Sequence, residues 1–275
     1  MNLFKDLKIW YLVTALGGVT LILILCEAMH WGIPVYGIIA LPYIFGCIFW
    51  FEKKAQARIN KMLTMMNMEC RIQDFIDAYL PLYERCTAPW QKENMCLTLS
   101  SAYLNLGDTE KGMRYLEEFL RIDTKKILIL ASNAKRENLT VTQQAIYHNN
   151  MAVSYLRQDD LEKAGEMLEA LKKDVSLLNG EASKVNKEVF QRSYKIKEII
   201  ISLKREDYSD YSSMEQYLRD ILKSANSDLE RVNYQAILYN LYTGVSESEK
   251  AEECRAYVLA HGGDSYYKKT MEFTI

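Results

Sequence analysis

Two long stretches without a charge open the chain, and everything after them is amphipathic. Ile9–Cys26 (IWYLVTALGGVTLILILC) runs 18 residues and Ile33–Phe51 (IPVYGIIALPYIFGCIFWF) runs 19, each free of Asp, Glu, Lys and Arg. A helix that crosses a bilayer needs about 20 apolar residues, so both predict transmembrane helices. The joining segment Glu27–Gly32 (EAMHWG) is too short for a domain and predicts the tip of a helical hairpin. Trp10, Tyr11, Trp31, Trp50 and Phe51 mark the ends of the two spans, where amphipathic rings favour the headgroup level.

Basic residues orient this hairpin. Lys5 and Lys8 precede the first span, Lys53, Lys54, Arg58 and Lys61 follow the second, and the joining segment has none. The positive-inside rule then places both termini, and all of 52–275, in the cytoplasm of a multi-pass cell-membrane protein. The cluster Lys53, Lys54, Arg58 and Lys61 is also expected to face anionic lipid headgroups, at about 1 kcal/mol per residue. Neither span contains an ionisable residue of the kind a transport path or proton relay requires. Gly17, Gly18, Gly37 and Gly46 suit close helix packing, and Pro42 invites a kink in the second span. The hairpin at 1–51 is therefore expected to be an anchor rather than a pore.

From Glu52 onward apolar positions recur at helical spacing, and Trp90–Ile275 is free of proline. No run of alternating strand character occurs; the short apolar run Ile127–Ala131 fits a strand or a buried helical turn. One frame repeats. Cys96-x-x-Leu99-Ser100-x-x-Tyr103 leads to Gly107-Asp108 and then Gly112-x-x-x-Leu116, with Phe119 and Leu120 behind. His148-x-x-Met151-Ala152-x-x-Tyr155 leads to Asp159-Asp160 and Ala164-x-x-x-Leu168, with Leu171 behind. A third copy reads Gln235-x-x-Leu238-Tyr239-x-x-Tyr242, then Ala251-x-x-x-Arg255. In the first two copies small residues (Ser100 and Gly112, Ala152 and Ala164) stand twelve apart, which lets two antiparallel helices touch while the leucines and Met151 fill the flanks.

These units resemble tetratricopeptide repeats (TPR), helix–turn–helix modules that stack into a superhelix. The family's leading tryptophan is replaced by Cys96 and His148, its glycine by Ser100 and Ala152, and its closing proline by Thr124 and Ser176. The first two copies lie 52 residues apart against a family repeat of about 34, leaving an insertion of roughly 18 at Asp123–Val141. The second and third lie 87 apart, an interval that predicts another helical pair near Ser183–Arg205 and Ser212–Ala225. Met68–Cys86 predicts the second helix of a further, irregular pair ahead of the first copy. The expected fold is all-α: a transmembrane hairpin at 1–51, then a TPR-like α-solenoid at 52–275, four or five helical hairpins in a right-handed arc. The resemblance implies a protein or peptide partner on the concave face. Carried over by frame, that face holds Leu97, Ser101, Leu104 and Asn105 from the first copy, and Asn149, Asn150, Val153 and Arg157 from the second. Asn150 matches an asparagine that, in chaperone-binding members, bonds a peptide backbone.

A net charge of −2, from 34 Lys and Arg against 36 Asp and Glu, excludes a general nucleic-acid binder. Three histidines (His30, His148, His261) have no second histidine or cysteine at ligand spacing, and six cysteines form no CxxC pair. No phosphate loop, dinucleotide fingerprint or nucleophile elbow occurs. No catalytic residue, metal or cofactor is expected. Gly262-Gly263 predicts the cap of the last helix, with Tyr266, Tyr267 and Phe273 of the tail padding the open end of the array. The expected function is a membrane-anchored adaptor or scaffold; the alternative is an accessory subunit of a transport or secretion complex, its hairpin contacting partner helices.

Overall fold

In a computed structural model the described residues, 5–30, 33–87, 89–122, 133–178 and 181–273, form twelve α-helices and no strand. The chain divides into two compact units, Met1–Thr64 and Met65–Ile275.

The first unit holds α1 (Lys5–Ala28) and most of α2 (Ile33–Asn67). Tyr11–Ala28 and Val35–Asn67 are long and apolar enough to cross a membrane, and only 6% and 12% of their apolar windows is buried. The two helices meet where a tyrosine finds a glycine. A Cβ on Gly18 would overlap the Tyr43 ring, whose hydroxyl donates to the Thr14 carbonyl at 2.6 Å. Tyr11 and Phe51 close the other end with ring centroids 5.3 Å apart. Pro42 lies inside α2, and the helix runs on past residue 51 to carry the basic cluster.

The second unit is an array of helices with three hairpins, α4 (Pro89–Leu106) with α5 (Thr109–Arg121), α6 (Asn133–Arg157) with α7 (Leu161–Leu177), and α10 (Asp228–Gly244) with α11 (Ser248–His261); between the last two, α8 (Glu181–Lys204) packs mainly on α6 and α7, and α9 (Tyr211–Lys223) mainly on α10. One helix precedes them, α3 (Ile72–Glu84), and one follows, α12 (Tyr266–Phe273). Each copy of the sequence frame makes the same turn. Gly107, Asp159 and Ser246 take left-handed backbone at φ 98, 63 and 63°, and the next residue donates its N–H back to the frame tyrosine. These bonds are Asp108 to Tyr103 at 2.9 Å, Asp160 to Tyr155 at 3.0 Å and Glu247 to Tyr242 at 2.9 Å. That is a Schellman closure of the leading helix. In the first two copies the aspartate then caps the trailing helix, accepting from Lys111 N at 3.0 Å and Lys163 N at 3.1 Å, a contribution of about 1 kcal/mol each.

The small residues do what their spacing predicts. Ser100, Ala152 and Ala164 are wholly buried, and a Cβ on Gly112 would stand 2.9 Å from the Leu104 side chain and 3.4 Å from the Ser100 carbonyl. Leu116 and Leu168 fill the flanks at 1% and 3% exposure, each contributing about 2 kcal/mol. Tyr103 stacks on Tyr115 of its own hairpin at 5.5 Å, and Tyr115 meets Tyr83 of α3 edge-on at 5.4 Å. Residues 133–141 of the insertion form the start of α6; residues 123–132, with the ambiguous run Ile127–Ala131, lie outside the described residues.

The array does not end in an open arc. Gly262 and Gly263 do end α11, with Gly262 N–H on the Val258 carbonyl, but one more helix follows. Asp264 accepts from Ile72 N and Gln73 N, both at 2.7 Å, and donates its own N–H to the Cys70 carbonyl at 3.1 Å. α3 lacks a local side-chain cap, and this carboxylate from the far end of the chain supplies one. Gly263 makes the contact possible: its φ is +54°, and a Cβ there would overlap the Cys70 carbonyl. The tail then folds against α4, with Lys269 Nζ donating to the Leu106 carbonyl at 3.0 Å. Of the residues expected to pad an open end, Phe273 is 86% exposed.

Candidate interaction groove

The leading helices α4, α6, α8 and α10 share one face of the second unit, and between them lies a groove of about 890 Å³. Helices α5, α7, α9 and α11 supply none of its lining, whereas α12 supplies Tyr266 and Tyr267. Helix α8 contributes most, at helical spacing: Glu188, Arg192, Lys197, Ile200 and Lys204 face it, with Val189, Ser193, Ile196 and Leu203 alongside. Asn233, Ile237 and Asn240 bring α10 into the opposite wall.

The residues picked from the repeat frame divide into lining and packing. Ser101 and Asn105 of α4 and Val153 and Arg157 of α6 line the groove. Leu97 and Leu104 are 2% exposed and belong to the core. Asn150, 4% exposed, donates to the Leu97 carbonyl at 3.3 Å and accepts weakly from Asn149 at 3.4 Å, so its amide ties α6 to α4. Asn149 sits half-buried under the groove floor. Its Oδ1 accepts from Ser193 Oγ and from Lys197 Nζ, each at 2.7 Å. A polar chain thus runs from Lys197 through Asn149 and Asn150 to Leu97, cross-linking α8, α6 and α4.

Lys197 is the residue the repeat frame missed. It is 5% exposed, with Nζ on Asn149 Oδ1 and on Ser193 Oγ at 2.7 Å, and no carboxylate pairs with it among the described residues. Removal from water, uncompensated by an opposite charge, pulls its pKa from the ordinary 10.5 down to about 7. A charged residue seven after the buried Phe190, on the same face of α8, is the signal that sequence offered. Arg157 is the second cation. Its guanidinium carbon lies 4.1 Å from the Tyr266 ring centre, burial holds its pKa below the ordinary value, and Nη1 has no hydrogen-bond partner among the described residues. Lys204 is paired outside the groove with Asp159 at 2.7 Å. The lining carries four basic groups against two acidic ones, Glu188 and Glu230.

The histidines take structural positions. His148 Nδ1 lies 2.6 Å from Asp174 Oδ2 and its ring meets Tyr147 edge-on at 5.3 Å, so the family's aromatic position holds a hydrogen-bonded pair between α6 and α7. His261 packs on Tyr257 at 4.5 Å, and His30 lies in the turn after α1 at φ 55°. In the first unit Lys53, Lys54 and Lys61 are exposed and Arg58 is half-exposed, with Lys53 Nζ over the Phe49 ring at 4.6 Å. The described residues contain no cluster of three or more His, Cys, Asp or Glu suited to a metal.

A protein-family model described as Tetratricopeptide repeat matches residues 93–126, which cover most of α4 and all of α5. No curated protein and no solved structure matches the chain significantly.

Proposed function

We propose that the chain is a membrane-anchored adaptor, in which α1 and the apolar part of α2 hold the helical array at a bilayer and the groove takes a peptide or helix from a partner protein. The observation that carries this reading is the groove itself: one face built by successive leading helices, polar at its asparagines and apolar at Val153, Ile196 and Ile237. A tetratricopeptide match over the first hairpin supports an interaction role. Anchoring gains support from the low burial of both apolar windows, since the core helix of a soluble protein would be covered. Tethering the groove to a plane raises the effective concentration of anything else held there. The basic residues at both flanks support a cytoplasmic array and an added attraction to anionic headgroups.

One observation favours the accessory-subunit reading as a second. Gly17, Gly37 and Gly46 have no heavy atom within 4 Å of where a Cβ would stand, so these small surfaces are open to a partner helix. Photocrosslinking in cells tests the first reading. A crosslinker replacing Asn105 or Asn240, both in the groove, is expected to capture the same protein, and one replacing exposed Glu253 on α11 is expected to capture none. Capture from Glu253 and not from the groove contradicts it.

A further inference from the structure

Helix α12 forms part of one wall of the groove. α12 packs on α4, α10 and α11, places Tyr266 and Tyr267 in the lining, and bonds the end of α4 through Lys269 and the Leu106 carbonyl at 3.0 Å. It is fastened at its base, where Asp264 caps α3, and it buries one apolar side chain well, Met271 at 4% exposure. Its cover is chemically mismatched to what lies beneath. The Tyr266 ring lies against the Arg157 guanidinium, yet neither it nor any other described residue supplies an acceptor to Nη1. The one acidic residue of α12, Glu272, is turned to Lys268 at 3.9 Å. A desolvated Nη1 without an acceptor weakens the closed state, and a segment that brings a carboxylate gains what α12 leaves unmade.

We propose that α12 is a latch walling the groove over Arg157, displaced when the acidic side chains of a partner segment take the guanidinium of Arg157. This rests on the reading of the groove as a partner site and adds its regulation and its charge preference. Asp264 stays in place on α3 as the hinge, and the residues beyond Ser265 swing out. The latch makes the groove selective against neutral segments, which cannot repay the loss of the α12 contacts.

The test uses the full chain in detergent micelles and a fluorescein-labelled peptide of alternating Glu and Ala with an amidated end, beside its Gln-Ala counterpart. Tyr266→Ala, and a chain ended after Ser265, are expected to bind the Glu-Ala peptide about tenfold tighter than the intact chain. Arg157→Gln in the Tyr266→Ala background is expected to abolish that gain, and the Gln-Ala peptide to show none of it. In the intact chain, saturation with the Glu-Ala peptide is expected to speed amide exchange in α12, a readout that holds if the shortened chain does not fold. Tyr266→Ala binding within about twofold of the intact chain, or α12 exchange unchanged at saturation, overturns the latch. If binding is then still lost on Asn240→Trp, which fills the groove, the groove stands as a partner site and the latch alone falls; if no variant binds and Asn240 crosslinks no protein, both fall.

Discussion

Lys197→Met isolates the least ordinary group in the molecule, a lysine held almost dry with only neutral acceptors around it. Its pKa falls from 10.5 to about 7 because burial penalises the charged form. The sign follows from proton counting. Below pH 7 the amine is charged in both folded and unfolded chains, and the burial penalty is fully present. Between about pH 7 and pH 10 the unfolded chain keeps a proton that the folded chain has released, so the folded state gains stability as pH rises. That gain has a slope of up to about 1.4 kcal/mol per pH unit and a total of about 4–5 kcal/mol. Methionine removes the titration at similar volume, and it removes the two Nζ hydrogen bonds to Asn149 Oδ1 and Ser193 Oγ, which keep their bond to each other, at a cost of about 1–3 kcal/mol. The variant is therefore expected to be more stable than the parent at pH 6.5 and less stable at pH 10. Denaturant unfolding of both chains in the same detergent, followed by circular dichroism across that range, gives the difference directly, because all other titrations cancel. A difference that stays flat from pH 6.5 to pH 10 refutes the burial of an unpaired ammonium.

Other outcomes follow from particular contacts. Asp264→Ala removes the acceptor for Ile72 and Gln73 and is expected to lower stability by about 1–3 kcal/mol and raise exchange at those two amides; unchanged exchange there refutes the clasp. Gly263→Ala is expected to be at least as damaging in a thermal melt, since it combines left-handed backbone with overlap of the Cys70 carbonyl. Ala164→Leu, at a position with no exposed surface between α6 and α7, is expected to cost about 1–3 kcal/mol by overpacking, whereas a surface Glu253→Leu changes the unfolding midpoint little. Replacing Lys53, Lys54, Arg58 and Lys61 by Glu is expected to make a C-terminal topology reporter read both sides of the membrane, and an unaltered reporter contradicts the orientation argument.

The helical frame was legible because local chemistry wrote it. Asp108 and Asp160 cap the helices they precede, the paired small residues meet, and the helices expected near 183–205 and 212–225 are α8 and α9, within a few residues, although they pack mainly on α6, α7 and α10 rather than on each other as the expected pair. Even the third copy, with Tyr239 at the small position, closes its leading helix through the same left-handed turn at Ser246. The contact of Asp264 with α3 was not legible: Asp264 caps amides 192 and 191 residues away, and nothing near it in sequence announces a partner. The groove was half legible. Carrying residues over by frame found Ser101, Asn105, Val153 and Arg157, but frame position does not tell a lining amide from one that spans two helices, as Asn150 does. Helix α8 carries no copy of the frame, so its wall of the groove, with Lys197 and Arg192, stayed hidden. The tail looked like padding because Tyr266, Tyr267 and Phe273 read as apolar, and only the fold distinguishes the two rings turned inward from the one left in solvent.

Anchor and groove have separate roles in this account, and exchanging one while blocking the other tests that division most directly. The measurement is co-purification of the protein crosslinked from the groove, using one chain with residues 1–51 replaced by an unrelated two-span hairpin and another with Asn240→Trp filling the groove. The partner is expected to be retained by the first chain and lost from the second. Loss with the exchanged hairpin and retention with the filled groove contradicts it, and moves recognition into the membrane.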